Sequence, residues 1–203
     1  MKSPSHTDDG RHRCTWVGAD AEYIRYHDEE WGVPVKDDTR LFEKIILEGF
    51  QSGLSWITIL KKRDNFRRAF RDFDPNKIAR FTEKDIARLM ADAGIVRNRL
   101  KVEAAISNAQ AFLDLTDKQS YASFLWAFVD GRPIIHERKA SSEIPAETDL
   151  SKRISKELKS RGFRFVGPTT IYANMQSIGM VNDHLVTCHR HSPCAKLQRA
   201  FKV

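Results

Sequence analysis

The chain has 203 residues and a formal net charge of +7, long enough to bury a sizeable core within one domain. No run approaches the roughly 18 apolar residues of a membrane span, and Met1-Lys2-Ser3-Pro4-Ser5-His6 lacks the apolar region of a secretory leader; the reading is of a soluble, cytoplasmic protein. The three cysteines, Cys14, Cys188 and Cys194, are too few and too scattered for a disulfide framework, which favours metal binding, and the basic balance suits a polyanionic partner.

Residues 1–10 are polar and read as a flexible tail. Tyr23 and Tyr26 are three apart, so a helical turn gives them one face, with His27 beside them. Glu29-Glu30-Trp31-Gly32-Val33-Pro34 ends that turn. Asp37-Asp38-Thr39 offers N-caps for a helix that reaches Glu48. Gly49 and Gly53 then let the chain turn, and a second apolar run starts at Trp56 and continues as helix to Phe70. On one unbroken helix Glu48 and Trp56 would lie roughly 12 Å apart, so the turn is what brings the indole back over the carboxylate. Two readings of the pair stand at this point. One is a helix-end glutamate with a core tryptophan; the other is a carboxylate beneath an indole, suited to a flat, nitrogen-rich, electron-poor ring.

Further on, Asp74-Pro75 is a cap with proline at the first helical position. Phe81-Thr82-Glu83-Lys84-Asp85 carries a staple and capping box that open a helix over residues 86–93. Gly94 closes that helix, and residues 101–113 read as the next, so Gly94, Arg97, Arg99 and Lys101 sit at a short basic hairpin. Such a hairpin can present amides and cations to phosphates without reading sequence. Phe124, Leu125, Trp126 and Phe128 belong to a core segment, and a loop over residues 136–142 follows. An amphipathic helix covers residues 150–159, and Gly167-Pro168 opens the last helix, over residues 171–178. The only strand candidate is Phe163-Arg164-Phe165-Val166. The predicted class is all-α.

Cys14 and His27 lie near one end of the chain, His184 and Cys188 near the other. Together they form a Cys2His2 set that tetrahedral zinc accepts fully, leaving no open position for Lewis-acid chemistry. The alternative is scattered histidines with cysteine as a small core hydrophobe. His189, His191 and Cys194 crowd the same tail and could substitute as ligands.

In order along the chain, Cys14-Thr15-Trp16, Tyr23-Ile24-Arg25-Tyr26-His27-Asp28-Glu29-Glu30-Trp31-Gly32, Leu47-Glu48-Gly49-Phe50-Gln51-Ser52-Gly53-Leu54-Ser55-Trp56, Arg161-Gly162-Phe163-Arg164-Phe165-Val166-Gly167 and Val181-Asn182-Asp183-His184 resemble the DNA-3-methyladenine glycosylase I family. The resemblance runs from Arg13 to Cys188. It implies a helix-hairpin-helix glycosylase fold over residues 11–194, flexible tails at 1–10 and 195–203, and a structural zinc on Cys14, His27, His184 and Cys188 that staples the N- and C-terminal segments into a subdomain. It implies a pocket in which Glu48 hydrogen-bonds the base and Tyr26 and Trp56 stack on it, with Tyr23, Trp16 and Trp31 around it. The activity implied is monofunctional: hydrolysis of the N-glycosidic bond of 3-methyladenine in double-stranded alkylated DNA by a monomer, releasing free base and leaving an abasic site. Gly53 and Leu54 would fill the gap left by the flipped nucleotide. The hairpin has Gly94 but no second glycine two residues on, a departure from the superfamily pattern. Asp114 and Asp117 fall where relatives in the wider superfamily carry a catalytic aspartate, but no matching motif supports them. Two rivals remain: a damage-binding module of the same fold, and a zinc-dependent hydrolase.

Overall fold

The computed structural model describes residues 9–203; the expected N-terminal tail therefore lies largely outside the described residues. The chain runs through helices α1 (Ala21–Glu29), α2 (Asp38–Gln51), α3 (Trp56–Ala69), α4 (Pro75–Ile78), α5 (Glu83–Ala91), α6 (Arg99–Thr116), α7 (Tyr121–Trp126), α8 (Asp149–Ser160), α9 (Pro168–Ser177) and α10 (His191–Ala200). Two short strands, β1 (Ile134–Ile135) and β2 (Val181–Asn182), pair in parallel, Ile134 with Val181 and Ile135 with Asn182. The all-α expectation describes the molecule, with this ladder as its one strand pair among the described residues.

The caps act where the sequence puts them. Asp37 accepts from the Arg40 amide, and Thr82 and Asp85 form the reciprocal box that opens α5; a further cap, Asp20, accepts from the amides of Glu22 and Tyr23 at the start of α1. Asp38 does a second job: its carboxylate accepts from the Tyr121 and Ala122 amides at 2.9 and 2.8 Å, capping α7 from across the fold. The main core surrounds α2, where Phe42, Ile45, Leu47 and Phe50 are fully buried against Phe66, Phe70, Phe112 and Trp126. Each such side chain contributes about 1.5–3 kcal/mol by leaving water. A smaller cluster joins Cys14, Val17, Tyr26, Trp31, Leu60, Leu185 and Cys188, bringing the chain's two ends together.

Four expectations need correction. First, α2 does not stop at Glu48 but continues to Gln51; the glycine at 49 serves close packing rather than a turn, since a Cβ there would sit 3.3 Å from the Phe165 Cβ. The turn falls at Gly53, where φ is +79°. Second, residues 163–166 are not a strand. Phe165 has φ of +55°, and side chains take the backbone groups a neighbouring strand would have used. Asn108 accepts from the Arg164 amide at 2.7 Å and donates to its carbonyl at 3.0 Å, and Ser155 donates to the Val166 carbonyl at 2.6 Å. Third, α9 is not the last helix. Fourth, residues 195–203, expected as a flexible tail, are mostly the packed end of α10. Gln198 is buried and donates to the Gly32 and Gly179 carbonyls at 3.1 and 3.0 Å, and Phe201 packs on Trp126.

Candidate active site

The seam between the two hydrophobic clusters holds a cavity of about 320 Å³. Trp56 and Ile144 line it and pack against both clusters. Helix α1 supplies Tyr23 and Tyr26 from one face, α2 supplies Glu48 and Gln51, and the start of α3 supplies Trp56. Trp16 and Trp31 come from the segments flanking α1. All six pocket residues read from the sequence therefore meet in one cavity. Thr15, Ser141, Ile144, Ala173, Gln51 and Gln176 complete the lining. Sequence reasoning missed these six, although Thr15 and Gln51 lie inside motifs already singled out. Ser141, Ile144, Ala173 and Gln176 reach the cavity only through tertiary folding and carry no local signal.

The aromatic rings are tilted rather than parallel. Tyr26 and Trp56 have centroids 5.3 Å apart at 50°, Trp16 and Tyr23 are 4.9 Å apart at 56°, and Trp16 meets Trp31 edge-on at 5.1 Å. They form a cage with several π-faces turned toward a common space, which suits a planar cation better than a neutral apolar ring. Glu48 is only 4 % exposed. Burial pushes its carboxyl up to about 8, against the opposing pull of Lys44 and of the nearby Ser177 hydroxyl. Lys44, one helical turn earlier, is pushed down to about 8 by its own burial, against Glu30 and Glu48; its Nζ lies 5.7 Å from the Tyr26 ring centroid. Glu30 is held by a two-pronged bond from Arg63 at 2.7 and 2.8 Å, so Glu48 is the carboxyl that faces the cavity.

A second cluster lies behind the cage. One ligand atom each from Cys14, His27, His184 and Cys188 lies within 4.8 Å of all the others, and all four residues are buried. The Cys188 Sγ is 3.4 Å from His27 Nε2 and 3.5 Å from His184 Nδ1, and the Cys14 Sγ is 3.7 Å from His184 Nδ1. The other ring nitrogens are engaged outward: His27 Nδ1 donates to Asp28 at 2.7 Å and His184 Nε2 to the Trp31 carbonyl at 3.0 Å. That fixes which nitrogen each ring offers inward, as in a metal site with oriented ligands. Such a set could hold a metal ion. The other three candidates stand outside it, since His189 bonds Asp28, His191 bonds the His136 carbonyl and Cys194 lies near Trp31 and Arg190. The cluster also forms the rear wall of the cage: Trp16 is two residues from Cys14, Tyr26 adjoins His27, and His184 holds the Trp31 carbonyl.

The basic hairpin is less uniform than its sequence. Arg97 is exposed, and Arg99 is exposed but paired with Glu83 and Glu103, each at 2.8 Å. Lys101, expected to face phosphates, points inward instead. It is 8 % exposed, and its Nζ donates to the Phe50 and Ser52 carbonyls at 2.9 and 2.6 Å. Unpaired carbonyls at the end of α2 attract a cation more strongly than water does once they are buried. Gly94 is packed against Asn65 and Asp92, whose atoms lie 2.9–3.1 Å from where a Cβ would sit. Gly53 faces open space and Leu54, two residues before Trp56, is 42 % exposed. Asp114 and Asp117 are exposed, away from the cavity lining.

Comparison with known proteins gives one consistent result. The family model described as methyladenine glycosylase matches residues 16–191. DNA-3-methyladenine glycosylase 1 of Escherichia coli is 51% identical over 177 residues, covering 87% of this chain and 95% of the relative. A crystal structure of 3-methyladenine DNA glycosylase I superposes with a TM-score of 0.87 at 51% identity, covering 89% of this chain and 100% of that one. A structure addressing 3-methyladenine recognition by 3-methyladenine DNA glycosylase I from Staphylococcus aureus superposes with a TM-score of 0.86 at 38% identity, covering 88% and 96%.

Proposed function

The chain belongs to the methyladenine glycosylase family, and on that premise we propose that its aromatic cage receives 3-methyladenine flipped out of alkylated double-stranded DNA. It is a DNA repair glycosylase that hydrolyses the N-glycosidic bond of that nucleotide, releasing the free base and leaving an abasic site. The observation that carries the reading is Glu48, a carboxyl buried in a cavity that five aromatic side chains help to wall.

Alkylation at N3 leaves the nucleotide cationic, so its glycosidic bond is weakened before the enzyme acts. As that bond breaks, the base departs with the bonding electron pair and becomes neutral, a water oxygen bonds to the sugar carbon, and the water's proton is released. The protein's tasks are extrusion, selection and positioning. Unstacking costs a few kcal/mol, and stacking between Tyr26 and Trp56 offsets it. Trp16, Tyr23 and Trp31 extend the π-surface that favours a charged base over a neutral one. Glu48 accepts a hydrogen bond from the base, and the incoming cation draws its carboxyl to the ionised form against the burial that protonates it.

The cage is built on a structural zinc held by Cys14, His27, His184 and Cys188. With Zn–S near 2.3 Å and Zn–N near 2.0 Å, a tetrahedron has S···N edges of roughly 3.5 Å, close to the 3.4–3.7 Å between these atoms. Four protein ligands give such a metal a folding role. On the DNA side, Leu54 enters the space the base vacates, with Gly53 allowing the turn, while Arg97 and Arg99 meet phosphates; the Gly94 amide, expected to do the same, is already donated to Asp92 at 2.7 Å. Arg99 does so by exchanging its carboxylate partners. We treat residues 11–194 as one domain, completed by α10, and the protein as a cytoplasmic monomer. No helix of the described residues is long and apolar enough to cross a membrane.

The test is chromatographic detection of bases released from DNA treated with a methylating agent. Release of 3-methyladenine with 7-methylguanine left in place is the expected result. No release from folded, metal-loaded protein would favour a damage-binding module. Glu48→Ala is expected to cut excision at least tenfold with DNA affinity nearly unchanged; excision at the wild-type rate would remove Glu48 from its role.

A further inference from the structure

Gln176 is a pocket side chain whose orientation is fixed by its hydrogen bonds. It sits on the face of α9 that also carries Ala173 to the cavity. Its main-chain carbonyl accepts from the Gly32 amide at 3.1 Å, beside Trp31, and its side-chain Nε2 donates to the Asp183 carboxylate at 2.8 Å. Asp183 is itself immobile. It is 1 % exposed, and it accepts from the Tyr172 hydroxyl at 2.6 Å and from His136 Nδ1 at 2.7 Å. A carboxylate so supplied with donors has no hydrogen to give, so the amide cannot reverse: its nitrogen is committed to Asp183 and its oxygen is the end left for a ligand. No described residue donates to that oxygen.

We propose that Gln176 is a specificity-determining residue of the base pocket, offering a fixed acceptor that favours a purine with an exocyclic amine and rejects one with an oxo group in its place. The proposal rests on the base-excision reading of the cage. Its logic is that of any site built around one polar partner. A matching donor makes a hydrogen bond at no cost in reorienting the amide, whereas a carbonyl brought against Oε1 pairs two acceptors in a water-poor cavity. With a neutral base in the cavity Glu48 cannot supply this discrimination by itself, because a carboxyl that burial protonates near neutrality can donate as well as accept. The locked amide cannot.

The test compares equilibrium binding of two free bases to metal-loaded protein, read by quenching of the cage tryptophans. 3-Methyladenine carries the amine, and 3-methylhypoxanthine keeps the ring and the methyl group but carries the oxo group. The wild type is expected to prefer 3-methyladenine, and Gln176→Met, which preserves length, is expected to shrink that preference by about tenfold, the worth of one such hydrogen bond. Gln176→Ala gives the same readout should the methionine crowd the cavity, and circular dichroism establishes that each variant is folded. An equal weakening of both bases, or an unchanged preference, overturns the proposal, because a wall residue would act in that way. Failure of the wild type to bind 3-methyladenine would instead overturn the base-excision reading beneath it.

Discussion

At the residue scale, the chemistry concentrates on one carboxyl, and its environment has a consequence for stability. Burial raises the Glu48 carboxyl from 4.5 to about 8. Between those values the folded protein holds a proton that the unfolded chain has lost, so stability falls as pH rises through that window. Lys44 has the opposite displacement, from 10.5 down to about 8, so its contribution changes above pH 8, where the unfolded chain alone is protonated and stability recovers with rising pH. Glu48→Gln removes the first effect and leaves the second. The difference in urea midpoint, variant minus wild type, is therefore expected to be small at pH 5 and to grow in the variant's favour by pH 8. A difference that stays flat across that range would mean that Glu48 ionises freely and that the cavity is wetter than its lining implies. The same carboxylate that suits a cation is thus a liability to the empty fold. Functional residues are commonly placed where they reduce stability.

At the scale of elements, the caps, the turn after α2 and the basic hairpin were legible because each rests on a local device. Asp37, Asp74 and Thr82 sit one residue before the first turn of their helices, where a short polar side chain is worth most. Elements set by tertiary partners were not legible. The Phe163–Val166 segment has the composition of a strand but is clamped by Asn108 and Ser155, residues that nothing in the local pattern ties to it. Helix α10 was hidden by its own first turn, whose His191, Pro193 and Cys194 read as a metal-rich tail. Within the site, the aromatic cage and Glu48 were readable from motif and family resemblance, and Gln176 was not, because its role depends on a partner brought to it by the β1–β2 ladder. Lys101 is the instructive error, since charge and position on the hairpin pointed to phosphate while the buried carbonyls of Phe50 and Ser52 claimed it. Lys101→Met is expected to lower stability by about 1–3 kcal/mol, the cost of leaving buried acceptors unpaired. The salt slope of DNA binding should stay as in the wild type; a phosphate contact would lower it by about 0.9. A reduced slope with unchanged stability would reinstate the reading from sequence.

At the scale of the whole molecule, the cavity lies between two units of different origin. The larger core around α2 is held by close-packed aliphatic and phenyl groups. The smaller cluster joins segments about 170 positions apart and contains the four metal-ligand candidates. The smaller cluster has far fewer buried apolar residues than the larger one, so on the proposed reading its coherence would depend on the bonds that Cys14, His27, His184 and Cys188 make to one ion. Metal binding free energy is folding free energy in such an arrangement. Stripping the ion with a chelator, or making Cys14→Ala, should therefore act unevenly. The α2-centred core keeps most of its helix, while Trp16 and Trp31 lose the wall behind them and their emission shifts to the red. Base binding is expected to fall with that shift and to return when zinc is restored. The measurement is fluorescence and far-ultraviolet circular dichroism on the same chelated sample. Loss of both signals together would mean that the ion supports the entire fold, and loss of neither would mean that the cluster coheres without it. A red shift in fluorescence with the circular dichroism retained is what an ion acting as the hinge-pin of the cage requires, and it separates that role from catalysis, since a metal that activated water could be removed without moving an indole.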